Sequence, residues 1–346
     1  MVNLSVLRNL VPLAALLPTD RAELAKRARV GSYASGQCPF TRGETARTVP
    51  YLLAGEVELF DGREARLVRA GSTQALHPLS QGSLRQATAT CRVDSQILLI
   101  DREQMDLVLT WSQTGGIEVS EFGSATGSGT GESDDWMTAL LQHPAFHRIP
   151  AANIAQLFSC MQPRTVAEGK YIIRQDGVGD AYFLITQGRV QVLREAVGDV
   201  QAEMLGELGV GSGFGEEALL SGAPRNASVK ALTDVQLMRI ESRDFDRLLK
   251  APLLREITLE EVGADVQLLD VRLVDEYRAG HLPGAVNMPL ARLRELAAGL
   301  DCSRPCVVYC DSGRRSASAT YLLCERGFDA HLIAGGVDAS LFTESN

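Results

Sequence analysis

Residues that shape turns recur along the first two thirds of this chain at nearly constant spacing. Gly36 and Gly55 precede Gly169 and Gly188 by 133 residues each. Further matches follow at an offset of 140 residues: Gly71 with Gly211, Gly82 with Gly222, Arg85 with Arg225, and Ala87 with Ala227. Such a repeat indicates one fold present twice, with the first copy seven residues shorter between Gly55 and Gly71. Because a chain of 346 residues has room for about two or three domains, the sequence predicts two copies and one further domain.

The second copy combines short predicted strands with a segment suited to an anionic ligand. Apolar stretches between residues 169 and 192 are separated by turn glycines, which is typical of β-structure. In the following segment, Gly213–Ser228, glycines let the backbone approach a ligand, and a helix beginning near Glu216 would direct free N–H groups at an anion. Arg225 provides a planar fork for two phosphate oxygens, and Glu216 suits a ribose hydroxyl. A carboxylate beside a phosphate site is reasonable if the ligand is a cyclic nucleotide.

On these motifs, residues 136–250 resemble the cyclic nucleotide-binding domain, an eight-stranded jelly-roll barrel with flanking helices. The resemblance implies that Glu216 holds the ribose 2′-OH, Arg225 the cyclic phosphate, and the amides of Ala218 and Ala227 the remaining phosphate oxygens. Glu217 is expected to face solvent. The residues assigned to nucleotide binding are Phe214, Gly215, Glu216, Glu217, Ala218, Arg225, Asn226, Ala227 and Ser228. The alternative is that Glu216 and Arg225 merely pair with each other inside a barrel.

The base of the nucleotide is less tightly specified. Asn226 lies where members of the family distinguish bases, and its side chain carries both donors and acceptors. It could therefore serve adenine or guanine. Cyclic AMP is expected in preference to cyclic GMP.

The first copy has the same frame without the same chemistry. Leu76 stands at the position of Glu216, and Ala75 stands at the position of Gly215. The carboxylate for the ribose and the tight turn are both missing. Arg85 could still hold a small anion, but a structural, dimerising or partner-docking role is expected for this domain.

A second chemical signal lies near the C-terminus, where an apolar strand ends on a cysteine. Val307–Tyr309 leads into Cys310, and a short polar loop follows before a predicted helix. Backbone N–H groups of such a loop and the positive end of the helix lower the pKa of a thiol at this position. We therefore expect Cys310 to be a reactive thiolate. The alternative is a buried strand-end cysteine that behaves as a small hydrophobe.

Motifs on both sides of Cys310 sharpen this prediction: Leu269–Arg272 and Gly280–Ala285 lie upstream, and Gly335–Gly336 lies downstream. With them, residues 258–342 resemble a rhodanese domain. The resemblance implies an α/β fold with a parallel sheet flanked by helices, and a loop cysteine that accepts sulfane sulfur as a persulfide. Four residues separate Cys310 from Arg315. Phosphatase relatives of this fold need five to wrap a phosphate, so the shorter loop favours a single sulfur atom.

The residues assigned to catalysis are Cys310, Asp311, Ser312, Gly313, Arg314 and Arg315. Asp311 adds a negative charge worth roughly 1 to 4 kcal/mol at about 4 Å, and this charge would disfavour thiosulfate. Arg314 and Arg315 offset it if they face the pocket. His281 is expected to be structural rather than a catalytic base.

Composition narrows the remaining function classes. The net charge of −9 and the absence of a basic helix-turn-helix after the second barrel argue against nucleic acid as a partner. The apolar run Leu10–Leu17 is short for a membrane span and matches the helix leading into the second barrel, so no membrane partner is expected. Seven cysteines without a regular spacing indicate a cytoplasmic protein, and no metal or other cofactor is expected.

The predicted fold class is multidomain: two β jelly-roll barrels with flanking helices, followed by an α/β rhodanese domain with a parallel sheet. The predicted boundaries are 1–115 for the degenerate domain, 116–135 for a flexible Gly/Ser linker, 136–256 for the nucleotide-binding domain and 257–346 for the rhodanese-like domain. Ser242–Lys250 is predicted to be a helix with Ser242 as its cap. The joint after it is short, which leaves little room for a helical lid over the nucleotide. Leu253 and Leu254, the first barrel or a second chain would have to supply that lid.

These features together predict a sulfurtransferase regulated by a cyclic nucleotide, with a persulfide on Cys310 and coupling through helix Ser242–Lys250. The small sulfur donor is expected to be thiosulfate or a low-molecular-weight persulfide. A protein sulfur acceptor and a homodimer are left open. The alternative function is a non-enzymatic signalling adaptor that binds cyclic nucleotide and partners, with the rhodanese-like domain as a docking or sulfur-carrier module.

Overall fold

The computed structural model describes residues 4–82, 84–114, 136–137, 144–196, 200–338 and 341–342. These residues form two β-barrels and one α/β domain, as the sequence predicts. The predicted Gly/Ser linker at 116–135 lies wholly outside the described residues, so this assignment stays a prediction. Among the helices described, none has both the length and the apolar character that crossing a membrane requires.

The first domain is built from two three-stranded antiparallel sheets. Its strands are β1 Arg29–Tyr33, β2 Thr48–Ala54, β3 Glu56–Phe60, β4 Ala65–Arg69, β5 Thr88–Cys91 and β6 Ser95–Asp101. The strand orders are β1-β6-β2 and β4-β3-β5. Side chains alternate along β3, where Val57 and Leu59 are buried and their neighbours are more exposed. This period of two gives each sheet one apolar face, and the two faces enclose the barrel core.

Helices cover the outside of this first barrel. They are α1 Leu4–Leu7, α2 Pro18–Arg27 and α3 Arg102–Thr114, with single 3-10 turns at Leu13–Ala15 and Thr73–Leu76. Leu10, Leu13 and Leu16 are buried in one cluster with residues of α3. The apolar run near the N-terminus therefore belongs to the core of the domain.

The second domain contains eight strands in two four-stranded antiparallel sheets, which confirms the predicted jelly-roll barrel. The strands are β7 Gln162–Val166, β8 Tyr171–Ile173, β9 Ala181–Gln187, β10 Val190–Arg194, β11 Glu203–Leu208, β12 Gly213–Phe214, β13 Ser228–Ala231 and β14 Val235–Glu241. The strand orders are β11-β10-β13-β8 and β12-β9-β14-β7. A 3-10 turn at Pro144–Arg148 and helix α4 Ala151–Cys160 precede the barrel, and the short helix α5 Glu216–Ser221 lies between β12 and β13.

A short helical joint connects the second barrel to the C-terminal domain. It comprises α6 Ser242–Phe245, a wider π-helical turn at Asp246–Lys250 and α7 Ala251–Leu253. The predicted cap was wrong by one residue, because Glu241 has extended backbone and Ser242 is already helical. The C-terminal sheet begins at Arg255, so no long helix follows the barrel.

The C-terminal domain is a five-stranded parallel sheet with helices around it, in agreement with the predicted α/β fold. The strands are β15 Arg255–Ile257, β16 Gln267–Asp270, β17 Val286–Asn287, β18 Cys306–Tyr309 and β19 Ala330–Ile333, in the order β15-β19-β18-β16-β17. The helices are α8 Val274–Arg278, α9 Leu293–Leu296 and α10 Arg314–Glu325, with 3-10 turns at Leu259–Glu261, Leu290–Arg292 and Ala297–Gly299.

The three domains are packed against one another. One hydrophobic cluster runs from the joint, at Phe245 and Leu253, into the C-terminal domain at Leu323 and Phe328. The first domain is joined to the second by a buried ion pair in which Arg194 Nε lies 3.2 Å from Asp20 Oδ1. Contacts between chain segments far apart in sequence therefore hold the three domains together.

Candidate functional site

Cys310 follows β18 directly and lies at the floor of a backbone cradle. Its side chain has no exposed surface. The Gly313 N–H donates to Cys310 Sγ at 3.1 Å, and Ser316 Oγ lies 3.6 Å from the same sulfur. The cradle is closed from outside by Gly336 (φ +80°), where a Cβ would approach Asp311 C to 2.6 Å. The Gly335–Gly336 motif is therefore needed for the loop to pack closely around the sulfur.

The two arginines of the Cys310 loop (residues 310–315) are held by carboxylates. Arg315 is fully buried, and its guanidinium donates to both carboxylate oxygens of Glu276, at 2.7 and 3.1 Å. A third contact joins Arg315 Nη2 to Asp311 Oδ1 at 2.5 Å. Although burial opposes it, the positive charges of Arg315 and Arg272 lower the pKa of Asp311. Asp311 thus neutralises Arg315 rather than facing the site as a free charge.

The expected low pKa of the Cys310 thiol is wrong for this arrangement. Burial raises its pKa, Arg315 counteracts this in part, and the charges of Asp311 and Asp106 raise it further. The hydrogen bond from Gly313 is present as predicted, but removal of the sulfur from water outweighs it. A reactive thiolate would require the covering of the loop to change.

Part of that covering comes from the first domain. Asp106 of α3 is buried, and its Oδ2 lies 3.1 Å from Arg314 Nη1. Its Oδ1 lies 3.9 Å from Arg315 Nη2. A narrow cavity between the domains is lined on one side by Met105 and Asp106 and on the other by Asp311. Nothing in the sequence around Asp106 marks it as part of this site.

The two motifs upstream of Cys310 in the C-terminal domain are held by their own polar contacts. Asp270 and Arg272 form a buried ion pair with a closest distance of 2.6 Å, and Arg272 Nη2 also donates to the Gly280 carbonyl at 2.7 Å. His281 stacks on Tyr277 with ring centroids 3.8 Å apart, and its Nδ1 lies 3.0 Å from the Tyr277 carbonyl oxygen. These contacts support the structural role predicted for His281.

The second barrel contains a pocket, here called the nucleotide pocket, around the predicted phosphate segment. Of the predicted residues, it is lined by Phe214, Gly215, Glu216, Glu217, Ala218, Arg225, Asn226 and Ala227. Ser228 is turned elsewhere, because its hydroxyl donates to Glu195 Oε1 at 2.5 Å and accepts from the Gln175 N–H at 2.9 Å. The backbone at Gly215 is left-handed (φ +91°), and a Cβ there would lie 2.8 Å from Arg225 Nη1.

Glu216 and Arg225 do not merely neutralise each other. Arg225 is bound to Asp180 Oδ1 at 3.0 Å and donates to the carbonyls of Gly215 and Ala181 at 2.7 and 2.6 Å. Glu216 Oε2 is buried, with no hydrogen-bond partner among the described residues. Burial raises the pKa of this carboxyl. A buried acceptor without a donor is a position where a ligand hydroxyl would be favourable.

One wall of the nucleotide pocket comes from the C-terminal domain, which the sequence does not reveal. Helix α10 contributes Ser318, Tyr321, Leu322 and Glu325, and Arg294 lies beside them. The prediction that Glu217 faces solvent is wrong, because Ser318 Oγ donates to its carboxylate at 2.9 Å. Burial, then the charge of Glu216, raises the pKa of Glu217 to about 8. The same two causes raise the pKa of Glu325 to about 8, while Arg294 lowers it in part.

Helix α10 therefore connects the two sites. It begins at Arg314, on the Cys310 loop, and its second half faces the nucleotide pocket. Its 12 residues span roughly 18 Å, so both sites lie on one rigid element.

The structure combines two β-barrels, one of which retains the predicted phosphate segment, with a parallel-sheet domain that carries a loop cysteine. The family model of the cyclic nucleotide-binding domain matches residues 30–110 and 163–251, and that of the rhodanese-like domain matches residues 256–340. The chain therefore contains two copies of the cyclic nucleotide-binding domain followed by a rhodanese-like domain.

Relatives share parts of this arrangement. A cyclic nucleotide-gated potassium channel of Rhizobium etli is 38% identical over 125 residues, which are 35% of this chain and 33% of the channel. The cGMP-dependent protein kinase egl-4 of Caenorhabditis elegans is 25% identical over 219 residues, 62% of this chain and 26% of the kinase. This chain thus spans about a third or less of these relatives. A solved regulatory domain of Toxoplasma gondii PKA with cAMP is 17% identical, with 72% of this chain and 91% of that chain covered and a TM-score of 0.31.

Proposed function

We propose that the protein is a sulfurtransferase regulated by a cyclic nucleotide, in which Cys310 carries sulfane sulfur as a persulfide. The observation that carries the proposal is α10, which starts at the Cys310 loop and lines the nucleotide pocket with Ser318, Tyr321 and Glu325. A ligand in that pocket contacts the helix whose first turn holds the loop. Sulfur chemistry and nucleotide binding are therefore coupled through one element.

The proposed reaction has two displacements at sulfur. The Cys310 thiolate attacks the outer sulfur of thiosulfate, the bond between the two thiosulfate sulfurs breaks, and sulfite leaves with the electron pair. An acceptor nucleophile then attacks the outer sulfur of the persulfide, and the electron pair of the broken S–S bond returns to Cys310 Sγ. The Gly313 N–H, 3.1 Å from Sγ, stabilises the thiolate before and after transfer. A low-molecular-weight persulfide can replace thiosulfate as the donor.

We further propose that the ligand is cyclic AMP, because of the carboxyl group of Glu325 in the pocket wall. Since the pKa of Glu325 is raised to about 8, the group is mainly neutral at pH 7 and offers one donor and one acceptor. That pattern complements adenine, whose edge offers N1 as an acceptor and the N6 amino group as a donor. An ionised carboxylate, with acceptors only, complements the N1–H and amino group of guanine. The preference for cyclic AMP should thus fall as the pH rises through about 8.

Glu325 variants test this preference. Glu325→Ala should reduce the ratio of cyclic AMP to cyclic GMP affinity by roughly 2- to 10-fold for each hydrogen bond lost. Glu325→Gln should keep the preference at pH 7, because an amide also has a donor and an acceptor, and should remove its pH dependence. Calorimetry with both nucleotides from pH 6.5 to about 9 measures both effects. Glu260→Gln, on a 3-10 turn outside the pocket, is the matched control. An unchanged ratio in Glu325→Ala would exclude this base contact.

The central test is the sulfur-transfer rate of the full chain, from thiosulfate to cyanide, with and without nucleotide. Saturating cyclic AMP should change this rate by roughly 5- to 150-fold, the range of typical allosteric couplings. Non-cyclic 5′-AMP serves as the ligand control and should have no such effect.

One observation favours the adaptor as a second candidate function. Cys310 has no exposed surface, which is compatible with a docking module that never turns over. An adaptor would bind cyclic nucleotide with the same residues and show no sulfur transfer to cyanide or to a protein acceptor, with any donor or nucleotide. A measurable sulfur-transfer rate that does not change with cyclic AMP would support the enzymatic activity and exclude its regulation by the nucleotide.

A further inference from the structure

The first domain has lost the nucleotide chemistry of its repeat, yet it lies directly on the Cys310 loop. Leu76 replaces the ribose carboxylate, and Arg85 is bound by the Thr48 carbonyl oxygen at 2.7 Å and stacks on Phe40. The contact surface with the loop is instead α3, whose Asp106 lies 3.1 Å from Arg314. A role for this domain should therefore be sought at α3 rather than inside its barrel.

The charges around the Cys310 loop show what Asp106 changes. Arg315 already has two carboxylate partners, Glu276 at 2.7 Å and Asp311 at 2.5 Å. With Asp106 in place, the guanidinium groups of Arg314 and Arg315 face three carboxylates. Without Asp106, the two arginines are balanced by the two carboxylates of Glu276 and Asp311, and Arg314 is available to bind an anion. The docked first domain therefore makes the loop repel an anionic sulfur donor.

The docked position of α3 is fixed from the second barrel. Arg194 of β10 reaches into the first domain, where its Nη2 donates to the Trp111 carbonyl at 3.1 Å and its Nε lies 3.2 Å from Asp20. Two residues earlier on the same strand, Val192 lines the nucleotide pocket. Strand β10 thus contacts both the pocket and the helix that carries Asp106.

The docked state also has an internal cost that undocking would release. Burial raises the pKa of Asp106, and the nearby charge of Asp311 raises it further. A buried carboxyl of this kind is less favourable than the same group in water. This cost favours release of Asp106 from the loop.

We propose that the first domain is a built-in inhibitor of the Cys310 loop, in which Asp106 occupies the position at Arg314 that the anionic part of the sulfur donor takes in the open arrangement. This inference rests on the proposed sulfurtransferase function for the identity of the anion. It assigns the degenerate barrel a role without nucleotide binding. If a nucleotide loosens β10 or α10, access to Cys310 should increase.

The alkylation rate of Cys310 tests the proposal without requiring turnover. The full chain is treated with anionic iodoacetate or with neutral iodoacetamide, and modified Cys310 is quantified by peptide mass spectrometry. Asp106→Asn, which keeps the shape and removes the charge, should increase the iodoacetate rate about tenfold and the iodoacetamide rate less. Glu103→Gln, an exposed residue of the same helix, is the matched control and should leave both rates unchanged.

A second variant tests the proposal independently, in case Asp106→Asn does not fold. Asp20→Asn combined with Arg194→Gln loosens the contact between the first two domains and leaves the Cys310 loop intact, so it should also increase alkylation by iodoacetate. If the iodoacetate rate in folded Asp106→Asn or in this double variant equals that of the wild type, the inhibitor proposal is overturned. If no sulfur transfer is detected, the proposed enzymatic activity is excluded, but the alkylation result still tests whether the first domain covers Cys310.

Discussion

Replacing Cys310 with serine is expected to abolish sulfur transfer while the affinity for cyclic nucleotide stays within about threefold of that of the wild type. A serine oxygen cannot carry sulfane sulfur, so neither displacement can occur. The smaller oxygen can still accept from the Gly313 N–H, which preserves the loop. Nucleotide affinity is spared because Cys310 does not line the nucleotide pocket.

Mass spectrometry gives a second readout of the same prediction. After treatment with a sulfur donor, the wild type should gain about 32 Da, the mass of one sulfur atom, on Cys310. Cys302→Ser is the matched control, because this cysteine is exposed and lies in the same domain. Cys306 is the first residue of β18, at the end of the strand away from the Cys310 loop, so this cysteine should not compete. An adduct that persists in Cys310→Ser would place the persulfide elsewhere.

Arg225→Ala should produce the largest loss of nucleotide affinity. The substitution leaves a cyclic phosphate without its guanidinium, which costs about 2 to 5 kcal/mol by analogy with truncated charged pairs. In affinity this is a loss of roughly 30-fold to several thousand-fold. The carbonyls of Gly215 and Ala181 also lose their donor, so the pocket becomes less ordered. Calorimetry of the full chain with cyclic AMP measures the effect.

The repeated first domain provides the control for this experiment. Arg85→Ala removes the equivalent arginine and should leave nucleotide affinity unchanged, because Leu76 stands at the position of Glu216, the carboxylate proposed to bind the ribose. One nucleotide per chain is expected in the wild type and in Arg85→Ala. Two equivalent sites in calorimetry, or full affinity in Arg225→Ala, would contradict the assignment of the pocket.

Local features of both sites could be predicted from the sequence because short segments determine them. The order of strand, loop and helix around Cys310 depends on residues 307–325 alone, and the structure has the strand ending at Tyr309 and the helix beginning at Arg314. The backbone turn at Gly215 likewise follows from a local glycine with φ +91°. These features need no knowledge of how the domains pack.

What depends on domain packing was missed. The sequence predicts that Glu217 on α5 faces solvent, yet Ser318, 101 residues later, donates to its carboxylate. Burial is the main cause of the raised pKa of Cys310, and a smaller part comes from Asp106, which reaches the loop from more than 200 positions earlier in the sequence. A single sequence holds no periodicity or motif that pairs such distant positions. The absence of a long helix after the second barrel was the one signal that another element closes the pocket.

Helix α10 has a consequence for how this protein can be divided or inherited. Because Ser318, Tyr321 and Glu325 belong to the rhodanese-like domain, a fragment ending at Lys250 would lack one wall of its own ligand site. Exchange of the C-terminal domain by recombination would replace the rhodanese-like domain and would also change which ligands the second barrel accepts. Lineages that keep this second barrel should therefore keep its rhodanese-like domain with it, and sequence change in one domain should be matched by compensating change in the other.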